Sequence, residues 1–313
     1  MALISSRYRT LALATCIGML LVLLAGALVT NTDSGRGCGD DFPLCNGKFI
    51  PAYTVESLIE YSHRLISGLV GLLVLATFIV TIVFYRQYRE AIVHAACAGF
   101  FTVLQAVLGA IAVVWPQSSA VLALHFGISI LAFTSTLLLV LWANRMIRSG
   151  GRGDKLSGPV PRSVIVVLLV SLVYTYLVIY IGAFVRHTDS AGGCYGWPLC
   201  NGQFVPELTG ATLYVFIHRL AAVVLFLLTV GMWLHVRSVC RDVPELRRSA
   251  ALAFILVCCQ ILSGAVLTTT LNNSDWLVFT SILHNMIVSG FFAILADMMI
   301  RAWKRRREER GNG

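Results

Sequence analysis

The sequence predicts an all-α polytopic membrane protein. Eight transmembrane helices form two tandem four-helix bundles, related by a pseudo-two-fold axis along the membrane normal. Three observations predict it. Of 313 residues, 58% are hydrophobic and only 12% charged, about half the charged share of a soluble globular domain, roughly 25%. Eight mostly apolar runs of about 20 residues or more occur, each able to cross a hydrocarbon core of about 30 Å. The third observation is that one four-span unit is written twice. A soluble enzyme and a disordered chain are excluded, and so is an outer-membrane barrel, because the runs lack strand alternation.

The first span, at about 10–30, follows Arg7 and Arg9 and so resembles a signal peptide. It is longer than a typical h-region and shows no clear cleavage site, so it reads as a retained helix. The second, at about 60–84, follows a loop rich in Gly, Pro, Asn and Asp, the residues of turns. The third, about 91–114, is preceded by Arg86 and Arg89, and only 115–118 separates it from the fourth, about 119–143. An Arg-, Gly- and Pro-rich linker covers 148–162, dividing the chain into an N-terminal half (1–147) and a C-terminal half (163–313). The second half repeats the plan, with spans at about 164–185, 212–236, 249–270 and 277–300. Its long loop is at 186–211, its short one at 271–276, and a basic tail closes it.

The net charge of +9 matters through its distribution. With eight spans both termini share one side, and nineteen of the 24 basic residues fall there, from Arg7 to Arg310. The positive-inside rule puts that side in the cytoplasm, in the cell membrane, with the long loops outside. The tail Lys304–Arg307 reads as an orientation signal beside anionic lipid, not as a nucleic-acid patch. All six tryptophans fall at predicted span ends, as in an aromatic belt.

Self-similarity is extensive. Gly26-Ala-Leu-Val-Thr-Asn-Thr-Asp-Ser34 recurs as Gly182-Ala-Phe-Val-Arg-His-Thr-Asp-Ser190. Pro43-Leu-Cys-Asn-Gly-Lys-Phe49 recurs as Pro198-Leu-Cys-Asn-Gly-Gln-Phe204, and His63-Arg64-Leu65 as His218-Arg219-Leu220. Gln105, Gly109-Ala110 and Leu124-His125 recur as Gln260, Gly264-Ala265 and Leu283-His284. Four spans per repeat is an even number, so the halves share one orientation rather than an inverted one.

Among seven histidines, His63, His125, His218 and His284 lie four to eight residues into spans that all enter from the loop side. At 1.5 Å per residue they share one depth, roughly 5–12 Å below the outer boundary. Two histidines at one depth on parallel helices are the arrangement that grips a heme iron from both faces, one pair per repeat. A lone histidine would instead be read as a hydrogen-bonding group between helices. His94 and His235, at inner ends, and His187, in a loop, lack matched partners.

Arg64 and Arg219 each follow a histidine, and their forks suit heme propionates, with snorkelling to headgroups as the alternative. Glu60 breaks the symmetry, because Val215 stands at the matching position. Three residues before His63, it shares that face of the helix. Partial burial is expected to raise its pKa and suit it to proton transfer. The first half therefore reads as a reaction site and the second as a redox site. Cys38 with Cys45, and Cys194 with Cys200, lie in the outer loops, where an oxidising compartment allows disulfides. Spacing leaves the connectivity open. A zinc site built from these four is disfavoured, and the first pair could also exchange electrons. The other five cysteines read as packing residues.

Taken together, Gly37-Cys38-Gly39, Pro43-Leu-Cys-Asn-Gly47, Glu60-Tyr-Ser-His-Arg64, Ala123-Leu-His125, Thr188-Asp-Ser190 and His218-Arg219 resemble the heme A synthase family, in its bacterial form with a cysteine pair in both outer loops. The resemblance covers about 10–300 with every motif in order. It implies an oxidoreductase that turns one ring methyl of heme O into a formyl group by successive hydroxylation and dehydration, for cytochrome oxidase assembly. By the same resemblance His63 and His125 would ligate the substrate heme, His218 and His284 a permanent heme b, and Glu60 would be the catalytic acid. Cys38–Cys45 would be the functionally sensitive disulfide and Cys194–Cys200 the structural one. Heme O synthase, cytochrome oxidase assembly factors, membrane lipid and an unidentified electron acceptor are the implied partners. With both iron faces taken by histidine, oxidation is expected at the porphyrin edge, with water supplying oxygen. The competing readings are a quinol-linked b-type electron carrier, which would stagger its hemes across the bilayer, a thiol–disulfide oxidoreductase, and a heme carrier or chaperone without need of Glu60.

Overall fold

The computed structural model describes residues 4–40, 42–49, 54–115, 118–151, 153 and 156–311. Arg152 and Lys155, counted above among the inner charges, lie outside them. Eight helices carry almost all of the described chain: α1 (Ser6–Asn31), α2 (Val55–Phe84), α3 (Arg89–Val114), α4 (Ser119–Arg148), α5 (Arg162–His187), α6 (Gly210–Val239), α7 (Pro244–Thr269) and α8 (Ser274–Gly311). Each is long and apolar enough to cross a membrane. Among the described residues there is no strand, only the isolated bridges Cys45–Lys48 and Cys200–Gln203 inside the long loops.

Most of the helices outrun the apolar segments, because a helix continues into the polar residues that cap it. The Thr54 hydroxyl accepts the Ser57 N–H and starts α2 about a turn before the hydropathy rise at 60. Ser118 starts α4 in the same way, on the Val121 N–H. At the other extreme α8 runs as one rod to Gly311. Its basic tail is thus helical, with Arg305 and Arg306 donating to the linker carbonyls of Gly158 and Val160. His187, expected in a loop, is the last residue of α5. Trp142 departs from the belt: it is buried, edge-on to Tyr88.

The chain divides into two compact units, Met1–Asp154 and Lys155–Gly313. Within the first, α1 packs on α2 and α4, and α3 packs on the same two, so α2 and α4 face each other across a four-helix bundle. The second has the same circuit, with α6 and α8 across from each other. Away from the loops the first bundle is tied by buried hydroxyls, Tyr8 to Thr81 and Thr15 to Thr77, each at 2.7 Å. Interhelical hydroxyl pairs suit an interior where apolar burial adds little drive. The second bundle has an apolar core that includes Leu168, Met232, Leu246, Phe291, Leu295 and Met298.

Candidate functional site: a histidine pair across each bundle

His63 lies on α2 and His125 on α4, so the first pair spans the diagonal of its bundle. His218 on α6 and His284 on α8 span the second. The four rings lie six to ten residues from their helix starts, roughly 9–15 Å along the axis; α2, α6 and α8 begin before their apolar runs, and α4 begins with its run. All four residues are part-exposed. His218 and His284 are within electrostatic reach of each other.

Each ring rests against a glycine on the preceding helix. A Cβ on Gly26 of α1 would stand 3.3 Å from His63 Cε1, and one on Gly109 of α3 would stand 3.6 Å from His125 Cε1. In the second unit the fit is tighter: 2.8 Å from Gly182 of α5 to His218, and 3.2 Å from Gly264 of α7 to His284. Four histidines thus have four glycine seats. Each glycine also belongs to a repeated segment, but repetition alone did not reveal that each one faces a ring.

The histidines fit a heme iron on two further observations. Nδ1 of His63 and of His218 are buried with no hydrogen-bond partner among the described residues, whereas a histidine kept for packing would be expected to use them. Among the described residues no three His, Cys, Asp or Glu side chains converge. That donor set does not suit a metal ion held by protein alone. It suits an iron whose remaining ligands come from a macrocycle.

The loop after α1 lies over the start of α2. Gly37 approaches so closely that a Cβ would fall 2.4 Å from the Glu56 carbonyl carbon, and Ser57 Oγ donates a short bond to the Gly37 carbonyl. Gly193 approaches Ala211 in the same way, with 2.5 Å to a Cβ, and Thr212 Oγ1 donates to the Gly193 carbonyl at 2.9 Å. Cys38 is bonded to Cys45 and Cys194 to Cys200, and all four are buried. Arg64 donates to the Leu44 carbonyl at 2.8 Å, and Arg219 to the Leu199 and Cys194 carbonyls at 3.0 and 2.9 Å. Both guanidinium groups, singled out above for propionates, therefore hold the disulfide loops.

Beneath this shared frame one unit carries a buried carboxylate that the other lacks. Glu60 is 3% exposed; its Oε2 accepts the Cys38 N–H at 2.8 Å and its Oε1 pairs with Arg64. These bonds run to the loop and to Arg64, not to His63. At the matching place Val215 packs against Cys194, Cys200 and Val185. A buried carboxylate joins the loop to the histidine helix in one unit, and a methyl pair fills that space in the other.

The other histidines are held without a diagonal partner. His94 Nε2 lies 3.9 Å from Glu90, which also lies 3.9 Å from Arg145, and His235 is hydrogen-bonded to Ser163 at 2.9 Å. Of the remaining cysteines, Cys16 and Cys240 are buried.

Paired histidines in duplicated four-helix units, with one asymmetric carboxylate, define a class of polytopic membrane protein with a histidine pair across each bundle. The chain matches the model of the family described as cytochrome oxidase assembly protein over residues 9–296. It is 40% identical to heme A synthase of Symbiobacterium thermophilum over 290 residues, covering 92% of this chain and 93% of that one. Identity is 36% to heme A synthase of Exiguobacterium sibiricum (93% and 94% covered) and 38% to that of Alkalihalophilus pseudofirmus (93% and 96%). The chain belongs to the COX15-CtaA family of cytochrome oxidase assembly proteins.

Proposed function

We propose that this chain is a heme A synthase, oxidising a ring methyl of heme O to a formyl group. The observation that carries the proposal is the asymmetry under the disulfide loops: two matched histidine pairs, but a buried carboxylate, Glu60, in one unit only. A carrier of electrons or of heme has no need of that carboxylate, and a thiol–disulfide exchanger has no need of the histidines.

In this proposal His63 and His125 hold the substrate heme O from both faces, and His218 and His284 hold a heme b. When bound, heme b supplies a one-electron relay. Methyl to formyl with water as oxygen source releases four electrons and four protons, and the electrons leave one at a time to the external electron acceptor that the family resemblance implies as a partner. Glu60 receives protons beside the first site, with Arg64 and the Cys38 N–H fixing the carboxylate. A propionate reaching the loop end would meet Arg64 or Arg219, whose first duty is to the loops. The same proposal puts both termini in the cytoplasm and the disulfide loops outside, and expects contact with heme O synthase and oxidase assembly factors.

Co-expression with a heme O source, followed by heme extraction and chromatography, tests the activity: heme A is expected, and heme O alone would overturn it. Labelled water is expected to mark the formyl oxygen before exchange, and label arriving from dioxygen would overturn the water route.

A further inference from the structure

Resting on that heme assignment, we infer that Ser263 is a positioning residue that fixes the tautomer and donor strength of His284. Ser263 Oγ lies 2.8 Å from His284 Nδ1 and 2.9 Å from the Gln260 carbonyl. A hydroxyl has a single hydrogen, and the carbonyl can only accept, so that hydrogen goes to Gln260. The oxygen must then accept from the imidazole, which puts the proton on Nδ1 and the lone pair on Nε2. The Gln260 amide nitrogen, 2.9 Å from Nε2, donates to that lone pair, which is the one an iron would take. The chain Nδ1–H to hydroxyl to carbonyl presets His284 as an Nε2 ligand and increases its basicity, as hydrogen bonds behind ligating histidines do.

The first unit lacks the device. Counting by the offset that relates Gln105 to Gln260 and Gly109 to Gly264, Leu108 stands where Ser263 does, and leucine accepts nothing. Gln105 is turned to the His125 carbonyl, at 2.6 Å, and to Ser129, leaving the ring to other groups. The inequality of the halves thus extends beyond Glu60 to the ligand's own support.

The test is redox titration and optical and electron-paramagnetic spectra of the purified full-length protein carrying heme, with heme loss to apomyoglobin as a rate. Ser263→Ala is expected to raise the midpoint potential of the heme b, shift its low-spin signal and speed heme loss about 10-fold or more. Ser263→Thr, which keeps the hydroxyl, is expected to restore all three. An alanine variant with unaltered potential, signal and loss rate, beside a His284→Ala variant that loses the low-spin signal, overturns the role of Ser263 alone. A His284→Ala variant that keeps the wild-type spectrum overturns the heme b assignment, and Ser263 with it.

Discussion

At the scale of single residues, Glu60 is the position where the two halves part. Its two partners are a backbone N–H and a guanidinium, and glutamine can keep the first while losing proton affinity. Glu60→Gln is therefore expected to retain bound heme but to lower heme A yield about 100-fold, in the range of a lost proton-transfer group. Heme O or a hydroxylated intermediate should accumulate in chromatographed extracts; normal yield would remove Glu60 from the chemistry. The glycine seats give a graded comparison. Gly182→Ala puts a methyl 2.8 Å from the His218 ring, which has to move, whereas Gly109→Ala makes ordinary contact at 3.6 Å. The first is expected to deplete heme b in difference spectra and the second to leave the heme content of its unit near wild type. The histidines and Glu60 stood out in the sequence because ionisable groups are few in apolar spans. The seats did not, since a glycine announces space without saying what fills it. Ser263 was hidden for the opposite reason: Leu108 stands at the matching position, so repetition does not mark it.

At the scale of elements, each disulfide loop is fastened three ways: by its bond, by a glycine too close to the next helix to accept a side chain, and by an arginine on its carbonyls. Removing Cys194–Cys200 with paired serines is expected to cost about 2 kcal/mol, the loop entropy of so short a closure, and to lower the thermal midpoint while sparing conversion in the protein that folds. Removing Cys38–Cys45 should do that and also disturb Glu60, because the Cys38 N–H is one of its two partners. Heme O to heme A ratios per folded molecule separate the two effects; equal ratios in both variants would argue against the coupling. Helix existence was legible from apolar runs, and helix ends were not. Hydropathy weighs side chains, whereas Thr54 starts α2 through a backbone N–H group, and Arg305 and Arg306 extend α8 by reaching carbonyls.

At the scale of the whole molecule, duplication was legible because the motifs recur in order, and within each compact unit four helices pack in a circuit. What a repeat cannot disclose is which neighbours touch, and here the circuit matters most, since it sets each histidine pair on a diagonal. The proposed orientation predicts that cysteines introduced at Phe49 or Phe204 react with an impermeant maleimide in intact cells, whereas one at Arg310 reacts only after lysis; the reverse pattern would invert the topology. The seats carry a consequence for biogenesis. Every histidine leans on the helix just before it, so each ring is settled inside one helical hairpin, α1 with α2, α3 with α4, α5 with α6, α7 with α8. A hairpin can therefore leave the insertion machinery with its half of the clamp already shaped, and a porphyrin arriving later joins two finished pieces. Heme then acts as the fastener of an assembled pair of hairpins, and co-expressed fragments cut between α2 and α3 should come together more tightly with heme than without it.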